Sequence, residues 1–249
     1  MIPRLLVDGL REAGQTIALD RDQIHYANRV LRLRAGDALQ AFDGLGGRWS
    51  AVLAGDGRDA GQLRLVAPVP ALPESPLRVR LIQCISSAER MDFTIEKAVE
   101  LGVAAIVPVA SARSVVRLDD DRARKRLAHW QRLVIAACMQ CGRDVLPIVS
   151  APQTLAGCLA GRPRERRGWV LAPQAGRSLR QAAMQAASDA PLHESDLLVG
   201  PESGLTDDEL AMAEQAGLTP VGLGPRVLRT ETAGLAALAL LQSAHGDLV

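Results

Sequence analysis

The pattern of hydrophobic and polar positions changes near residue 70 of this 249-residue chain. Before that point, short segments with alternating apolar residues are separated by Gly and Asp turns, as in a small β-barrel or sandwich. Residues 20–37 interrupt these segments and predict a short helix capped by Asp22, followed by a strand. Residues 67–77 contain four prolines, which disfavour both helix and sheet pairing and therefore predict a linker.

After the linker, predicted strands alternate with predicted helices. The strands are expected at 77–85, 103–111, 145–150, 168–173, 196–199 and 219–224, and the helices at 89–102, 119–142, 178–188, 206–217 and the C-terminal end. This alternation is typical of an α/β domain with a mostly parallel sheet. The predicted organisation is a β domain over residues 1–67, a linker over 68–77 and an α/β domain over 78–249.

Composition restricts how the chain could bind nucleic acid. Hydrophobic residues make up 48% of the chain and aromatic residues only 2%, so few side chains are available to stack on bases. The formal net charge of +1 does not indicate a polyanionic partner. The positive charge is nearly all arginine, however, which suits bidentate contacts to phosphate. Arginine and backbone groups would therefore carry most of any RNA contact.

Compartment and metal content follow from the apolar segments and the cysteines. No apolar run approaches the ~20 residues that span a bilayer, and the N-terminal residues lack the pattern of a signal peptide. Four cysteines in a chain of this length favour a reducing cytoplasm. Cys138 and Cys141 have zinc-like spacing, but without a second pair or a histidine cluster they are expected to be buried helix thiols. We expect a cytoplasmic protein with no membrane segment and no metal site.

Three loops follow predicted parallel strands, at 171–177, 200–204 and 222–231. Ligands of open α/β sheets bind beyond the carboxyl ends of the strands. Thr206 and Glu209 have the spacing of a capping box, which predicts a helix start directly after the second loop. The glycines of these loops allow close backbone approach, but no Walker or dinucleotide fingerprint is present. A pocket for a neutral heterocycle such as adenine is favoured over a phosphate site, although the second loop taken alone could be a plain βα turn.

The third loop leads into the most hydrophobic helix of the chain. Gly222 and Gly224 flank Leu223, and Thr230 is expected to cap the final helix. A helix that is apolar on nearly every side must be buried. Arg226, Arg229 and Glu231 therefore lie next to a buried helix, where charged residues need a structural or chemical reason.

Five segments, taken in order along the chain, resemble the ribosomal RNA small-subunit methyltransferase E family of the SPOUT superfamily. They are HYANRVLRLRAGD, ERMDFTIEKAVELGVAAIVPVASARSV, CGRDVLPIV, VGPESGLTDDEL and LGPRVLRTETAGLAALALL. The resemblance implies a PUA-like β-barrel domain followed by an α/β trefoil-knot domain. It also implies methylation of N3 of a uridine in 16S ribosomal RNA of the small subunit, with S-adenosylmethionine as cofactor, by a homodimer with active sites near the subunit interface.

Site residues are implied by the matching motifs. Leu235, Leu238 and Leu241 would pack in the knot core and the dimer interface. The expected cofactor-pocket positions are Leu171, Ala172, Pro173, Val199, Gly200, Pro201, Leu223, Gly224, Val227 and Leu228. The chain departs from the usual motifs at Met139, at Ser203 and before Glu89, where no lysine is present. The departures at Met139 and before Glu89 lie outside the three loops, whereas Ser203 lies in the second loop next to Glu202.

The expected chemistry requires loss of the N3 proton of uridine. A carboxylate can act as base and an arginine can stabilise negative charge on the uracil carbonyls. Glu202 or Glu231 is the candidate base and Arg229 the candidate stabiliser. The alternative for Arg229 and Glu231 is a structural ion pair that anchors the loop.

RNA contacts are expected from the arginines of the small domain and from a few later positions. The candidates are Arg4, His25, Arg29, Arg32, Arg113 and Arg143, with Arg34 and Arg117 as further possibilities. Each could instead belong to a solvated basic face. The competing function is a noncatalytic RNA-binding protein that kept the knot. A small-molecule enzyme that uses a nucleotide is disfavoured, because no phosphate-binding motif is present.

Overall fold

A computed structural model describes residues 2–55, 61–114, 120–189 and 191–249. The chain forms two compact units. The first contains Met1–Glu74 together with Ile135–Leu146, and the second contains Ser75–Val134 together with Pro147–Val249. Within the described ranges, no helix is long and apolar enough to cross a membrane.

The first unit is a curled five-stranded sheet, a half-barrel with the strand order β1-β3-β4-β5-β2. β1 pairs with β3 in parallel, and the remaining neighbours are antiparallel. Leucines that alternate along the strands fill its core, among them Leu39, Leu53, Leu63 and Leu65. The strands are β1 (Arg4–Leu6), β2 (Thr16–Ala18), β3 (Ala38–Phe42), β4 (Arg48–Ala54) and β5 (Gln62–Pro68).

The segment between β2 and β3 differs from its prediction. A short helix α1 (Arg21–His25) continues into a π-helical turn (Tyr26–Val30), and the next strand begins only at residue 38. Asp20, not Asp22, caps α1: the Gln23 backbone N–H donates to Asp20 Oδ1 at 2.8 Å, and the Gln23 side chain accepts from the Asp20 N–H at 2.9 Å. The predicted cap was wrong because this reciprocal capping box needs an acceptor side chain three residues after the cap, and Gln23 stands in that position for Asp20.

A buried ion cluster ties residues 135–146 to the strands of the first unit. Asp144 is fully buried, and its carboxylate lies 2.6 Å from Arg4 Nη2 and 2.7 Å from Arg48 Nη2. Arg4 also donates to the carbonyl of Arg143 at 2.9 Å. Burial lowers the pKa of Arg4, and the attraction and hydrogen bond of Asp144 oppose that shift. Arg4, which we predicted to contact RNA, is therefore a buried structural residue with only 6% of its surface exposed.

The second unit has a seven-stranded parallel sheet with the order β12-β10-β11-β6-β7-β8, and β9 also pairs with β7. Its strands are β6 (Arg78–Cys84), β7 (Ala105–Ala110), β8 (Ile148–Val149), β9 (Gln153–Thr154), β10 (Arg167–Leu171), β11 (Glu194–Val199) and β12 (Thr219–Val221). Its helices are α2 (Ala88–Glu100), α3 (Asp120–Cys141), α4 (Leu155–Ala160), α5 (Leu179–Asp189), α6 (Asp207–Gln215) and α7 (Thr230–His245). The last part of α3 belongs to the first unit.

Helices cover both faces of this sheet, as expected for parallel strands that are buried throughout. On one face, Ile82, Val107 and Leu198 pack with residues of α4 and α6. On the other face, α7 lies so close to the strands that a Cβ on Gly234 would be 3.4 Å from Val199 Cγ2. Pro68 still pairs with Trp49 as the last residue of β5, so the irregular segment before β6 is 69–77.

Candidate active site at the carboxyl edge of the parallel sheet

The three predicted loops emerge at one edge, because β10, β11 and β12 are parallel neighbours. Backbone hydrogen bonds join the first loop to the third. The Ala172 N–H donates to the Val221 carbonyl, and the Gly222 N–H donates to the Arg177 carbonyl, each at 2.9 Å. A Cβ on Gly222 would stand 3.7–3.9 Å from three carbonyl oxygens of the first loop. A side chain at this position would fill the space in front of those oxygens, so glycine keeps it open.

Two consecutive buried hydrogen bonds anchor the backbone at the start of the second loop. Gln83 Nε2 donates to Thr230 Oγ1 at 3.0 Å, and Thr230 Oγ1 donates to the Gly200 carbonyl at 2.6 Å. The predicted capping box of Thr206 and Glu209 is present. The predicted cap at Thr230 is wrong: Arg229 takes the N-cap position without a side-chain cap bond, because the Thr230 hydroxyl is used on Gly200.

The expected cofactor positions line these loops with different exposures. Val199 and Pro201 are buried at the end of β11, and Val227 in the third loop is 80% exposed. The partly buried positions are Leu171, Ala172, Gly200, Leu223 and Leu228, while Pro173 and Gly224 are exposed. These positions therefore offer backbone groups and aliphatic side chains, while the loops carry charge at Arg177, Glu202, Arg226, Arg229 and Glu231.

Helix α2 adds an arginine to the site. Arg90 Nη1 donates to Glu202 Oε1 at 2.9 Å, and Arg90 Nε lies 3.8 Å from Glu231 Oε1. One arginine thus stands between the two carboxylates that we predicted as candidate bases. Arg229 is exposed, and in the described part of the chain it forms no ion pair with Glu231. The alternative of an Arg229–Glu231 ion pair is therefore replaced by a pair with Arg90.

The two carboxylates have different surroundings. Burial acts to raise the pKa of Glu202, but its own backbone N–H, Arg90 and the Ser87 N–H together hold that pKa below its ordinary value. Glu231 is more enclosed, with 13% of its side chain exposed. Glu231 Oε2 is buried and has no hydrogen-bond partner among the described residues. Such an atom is costly unless a ligand or a proton meets it.

Arg113 lies next to the second loop. Arg113 Nη1 donates to the Ser203 carbonyl at 3.0 Å, and the Ser203 hydroxyl donates to the Arg113 carbonyl at 3.4 Å. The Ala112 N–H donates to Glu209 Oε1 at 2.7 Å. The segment after β7 is therefore joined to the loop that carries Glu202, and Ser203 takes part in this junction.

The other RNA candidates differ in surroundings. His25, Arg29, Arg32 and Arg34 are exposed in the first unit, and Arg32 has a left-handed backbone with φ of 58°. Arg143 forms an ion pair with Glu74. Arg117 lies outside the described residues.

Sequence reasoning missed Arg90 and Gln83 as site residues. Arg90 was within the ERMD segment that carried the resemblance, but its charge was not assigned a role. Gln83 is a polar residue in a strand that is otherwise apolar at its end, and a fully buried glutamine needs hydrogen-bond partners. That interruption of the apolar run was the available signal.

Comparisons with known proteins cover nearly the whole chain. A family model described as an RNA methyltransferase domain matches residues 73–242, and one described as an RNA methyltransferase PUA domain matches residues 19–66. The ribosomal RNA small subunit methyltransferase E of Buchnera aphidicola subsp. Schizaphis graminum is 32% identical over 248 residues, 99% of this chain and 98% of the relative.

Two solved structures match over their full lengths. The ribosomal RNA small subunit methyltransferase E from Neisseria gonorrhoeae, bound to S-adenosyl methionine, superposes with a TM-score of 0.89 at 38% identity and 100% coverage of both chains. A methyltransferase from Legionella pneumophila in complex with bound SAM superposes with a TM-score of 0.91 at 33% identity, again with 100% coverage of both chains.

Proposed function

Since this chain belongs to the ribosomal RNA small-subunit methyltransferase E family, we propose that it transfers the methyl group of S-adenosylmethionine to N3 of a uridine in 16S ribosomal RNA. The observation that carries the proposal is the group formed by Arg90, Glu202 and Glu231 beside the three loops. A noncatalytic RNA-binding protein would have no need for an unpaired, buried carboxylate oxygen at this position. The catalytic alternative is therefore favoured.

The residues of the site fit S-adenosylmethionine. The open space at Gly222 faces carbonyl oxygens that can accept hydrogen bonds from an amino group. Partly buried Leu171, Leu223 and Leu228 supply an apolar lining for a heterocycle. When bound, the cofactor supplies an electrophilic methyl group on a sulfonium sulfur. The residues proposed to hold it are those of the three loops and the adjoining strand end: Leu171, Ala172, Pro173, Val199, Gly200, Pro201, Leu223, Gly224, Val227 and Leu228.

The chain's own residues must remove the N3 proton and balance charge. Both Glu202 and Glu231 are placed at the carboxyl edge of the sheet, and either could accept a proton from a ring nitrogen. Arginine is always protonated and therefore serves as a charge stabiliser rather than a base. Arg229 is exposed two residues before Glu231, which supports its proposed contact with the uracil carbonyls. Arg90 offers a second cation at the same edge.

The proposed RNA contacts are His25, Arg29 and Arg32 of the first unit and, as a separate contact, Arg113 of the second. The first three are exposed and follow one another along the segment between β2 and β3. Arginines in such positions contact phosphates and orient the RNA. We include Arg143 with less direct support, since it is paired with Glu74.

The assembly also remains part of the proposal. We propose a cytoplasmic homodimer that acts on the small ribosomal subunit and has a trefoil knot in the domain over 78–249. The partly exposed Leu235 and the highly exposed Val227 support an interface near the start of α7. A PUA-like domain over 1–67 and a linker over 68–77 complete the proposed organisation.

Methyl incorporation tests the function directly. Purified protein is incubated with methyl-labelled S-adenosylmethionine and small ribosomal subunits, with free 16S RNA in parallel, and the RNA is digested to nucleosides. We expect labelled 3-methyluridine at one position. Cofactor binding without any labelled nucleoside would contradict the proposed activity, and labelled material at another base atom would contradict the proposed substrate.

A further inference from the structure

Arg90 separates two carboxylates that would otherwise be equivalent candidates for the base. We infer that Arg90 is a positioning residue, that Glu202 is its counter-ion, and that Glu231 alone accepts the N3 proton. This inference rests on the proposed function and assigns the roles inside the same site.

The hydrogen bonds distinguish the two carboxylates. Glu202 Oε1 accepts from Arg90 Nη1 at 2.9 Å and from the Ser87 N–H at 3.4 Å. The only close cation of Glu231 in the described ranges is Arg90, whose Nε is 3.8 Å away, beyond hydrogen-bond distance. Glu231 Oε2 has no partner among the described residues. Glu202 is thus committed to Arg90, while Glu231 keeps an oxygen that can take a proton.

The position of Glu231 is fixed by its helix. Glu231 lies in the first turn of α7, one residue after Thr230, whose hydroxyl is bonded to Gly200 and Gln83. Glu202 instead lies in a loop between β11 and α6 and has 29% of its side chain exposed. A base on a rigid, buried element holds its geometry better than one on a loop. Both observations favour Glu231 as the acceptor.

Charge balance explains why Glu202 is needed. An uncompensated guanidinium beside Glu231 would stabilise its charged form and weaken it as a base. Glu202 neutralises that guanidinium through the ion pair. Two charged groups face Glu231 from the elements packed near the start of α7: Arg90 from α2 and Glu202 from the loop after β11. Strand β6 contributes the uncharged Gln83, and Arg229 is the N-cap residue of α7 itself. The guanidinium beside Glu231 is therefore one that Glu202 already compensates.

The proton transfer balances as follows. The proton on N3 moves to the Glu231 carboxylate, and the electron pair of the N–H bond stays on the uracil ring. That pair forms the new bond from N3 to the methyl carbon while the bond from that carbon to sulfur breaks and its electrons remain on sulfur. Glu231 ends as a neutral carboxylic acid and returns its proton to solvent.

The test measures kcat and KM against pH for four variants with labelled S-adenosylmethionine and small ribosomal subunits. We expect Glu231→Gln to lower kcat by about 100-fold or more, the size of a lost general base, with KM nearly unchanged. We expect Glu202→Gln to lower kcat by less than about tenfold and to move the acid limb of the profile to lower pH. Arg90→Gln should move that limb to higher pH, because the two carboxylates then repel, and Arg90→Lys should move it back.

The controls separate this inference from the proposed function. Glu214→Gln makes the same chemical change on the exposed face of α6 and should behave like wild type. Cofactor affinity by calorimetry shows whether each variant is folded. If wild type forms no 3-methyluridine, the proposed function fails. If wild type is active but Glu202→Gln loses as much kcat as Glu231→Gln, or Arg90→Gln leaves the acid limb in place, the assignment of roles is overturned.

Discussion

The buried cluster of the first unit gives a sharp stability prediction for Asp144→Asn. Asp144 is fully buried between Arg4 and Arg48, whose side chains are 5% and 9% exposed. At separations of 2.6 and 2.7 Å, each pair carries about 6 kcal/mol of attraction at an effective dielectric of 20. Much of that attraction is offset by the cost of burying the ions. Removing one partner leaves buried charge uncompensated, so we expect a loss of about 3–5 kcal/mol.

The measurement is urea-induced unfolding followed by circular dichroism, with hydrogen exchange of peptides from β3 and β4 to localise the loss to the first unit. Asp121→Asn is the matched control, since Asp121 is 79% exposed in its pair with Arg124 and should change the free energy of unfolding by less than about 0.5 kcal/mol. A loss below about 1 kcal/mol for Asp144→Asn would refute the argument. So would an Arg4→Lys variant that keeps full stability and loses RNA affinity, because Arg4 would then act as we first predicted.

Three further predictions follow from single contacts. Thr230→Val removes the hydroxyl between Gln83 and Gly200. It should lower the free energy of unfolding in urea by about 1–3 kcal/mol and weaken cofactor binding measured by calorimetry. Thr232→Val, on the exposed side of α7, should change neither quantity. Gly168→Ala places a Cβ against Leu218 and 2.7 Å from Arg162 Nη2, so the free energy of unfolding should fall by about 1–3 kcal/mol. Gly176→Ala is the control: it has open space around it and should leave the free energy of unfolding unchanged. The pKa of Glu202 lies below its ordinary value of 4.5 in the folded protein, so the stability that it contributes is present above that value and is lost as the pH falls through the folded pKa. The difference in unfolding free energy between wild type and Glu202→Gln, under about 1 kcal/mol for a partly exposed pair, should therefore vanish in acid. A difference that grows in acid would contradict the sign.

Periodicity and turn residues were sufficient to predict the α/β class, most strands and the long helices. The alternation of apolar runs with amphipathic segments is local information, and it predicted a parallel sheet with three loops at one edge. The strand order of the second unit confirms that prediction. Helix α4 was not predicted, because its six residues contain Gly157 and show too few turns for a periodic pattern. The Thr206 capping box was confirmed, since all of its signal lies within four residues.

Contacts between residues distant in sequence could not be predicted in the same way. Arg90 and Glu202 are 112 residues apart, and no pattern along the chain relates their charges. Arg162 begins the charged stretch 162–167, yet it is buried and its Nε donates to the buried Asp196 at 2.8 Å. Arg4 likewise looked like an RNA contact until Asp144 was placed beside it. Arginine in a sequence shows only that an anion is needed; the fold decides whether that anion is a carboxylate or a phosphate.

The hydrophobicity of α7 explains the placement of the charged residues at its start. Leu238 and Leu241 are fully buried, and Gly234 lets the helix lie directly on the strands. A helix held this firmly cannot shift its first turn, so Thr230 reaches Gly200 and Glu231 stays beside Arg90. An apolar helix is therefore the support that fixes a base at the edge of the sheet, and the burial of its remaining length maintains the geometry on which the proposed proton transfer depends.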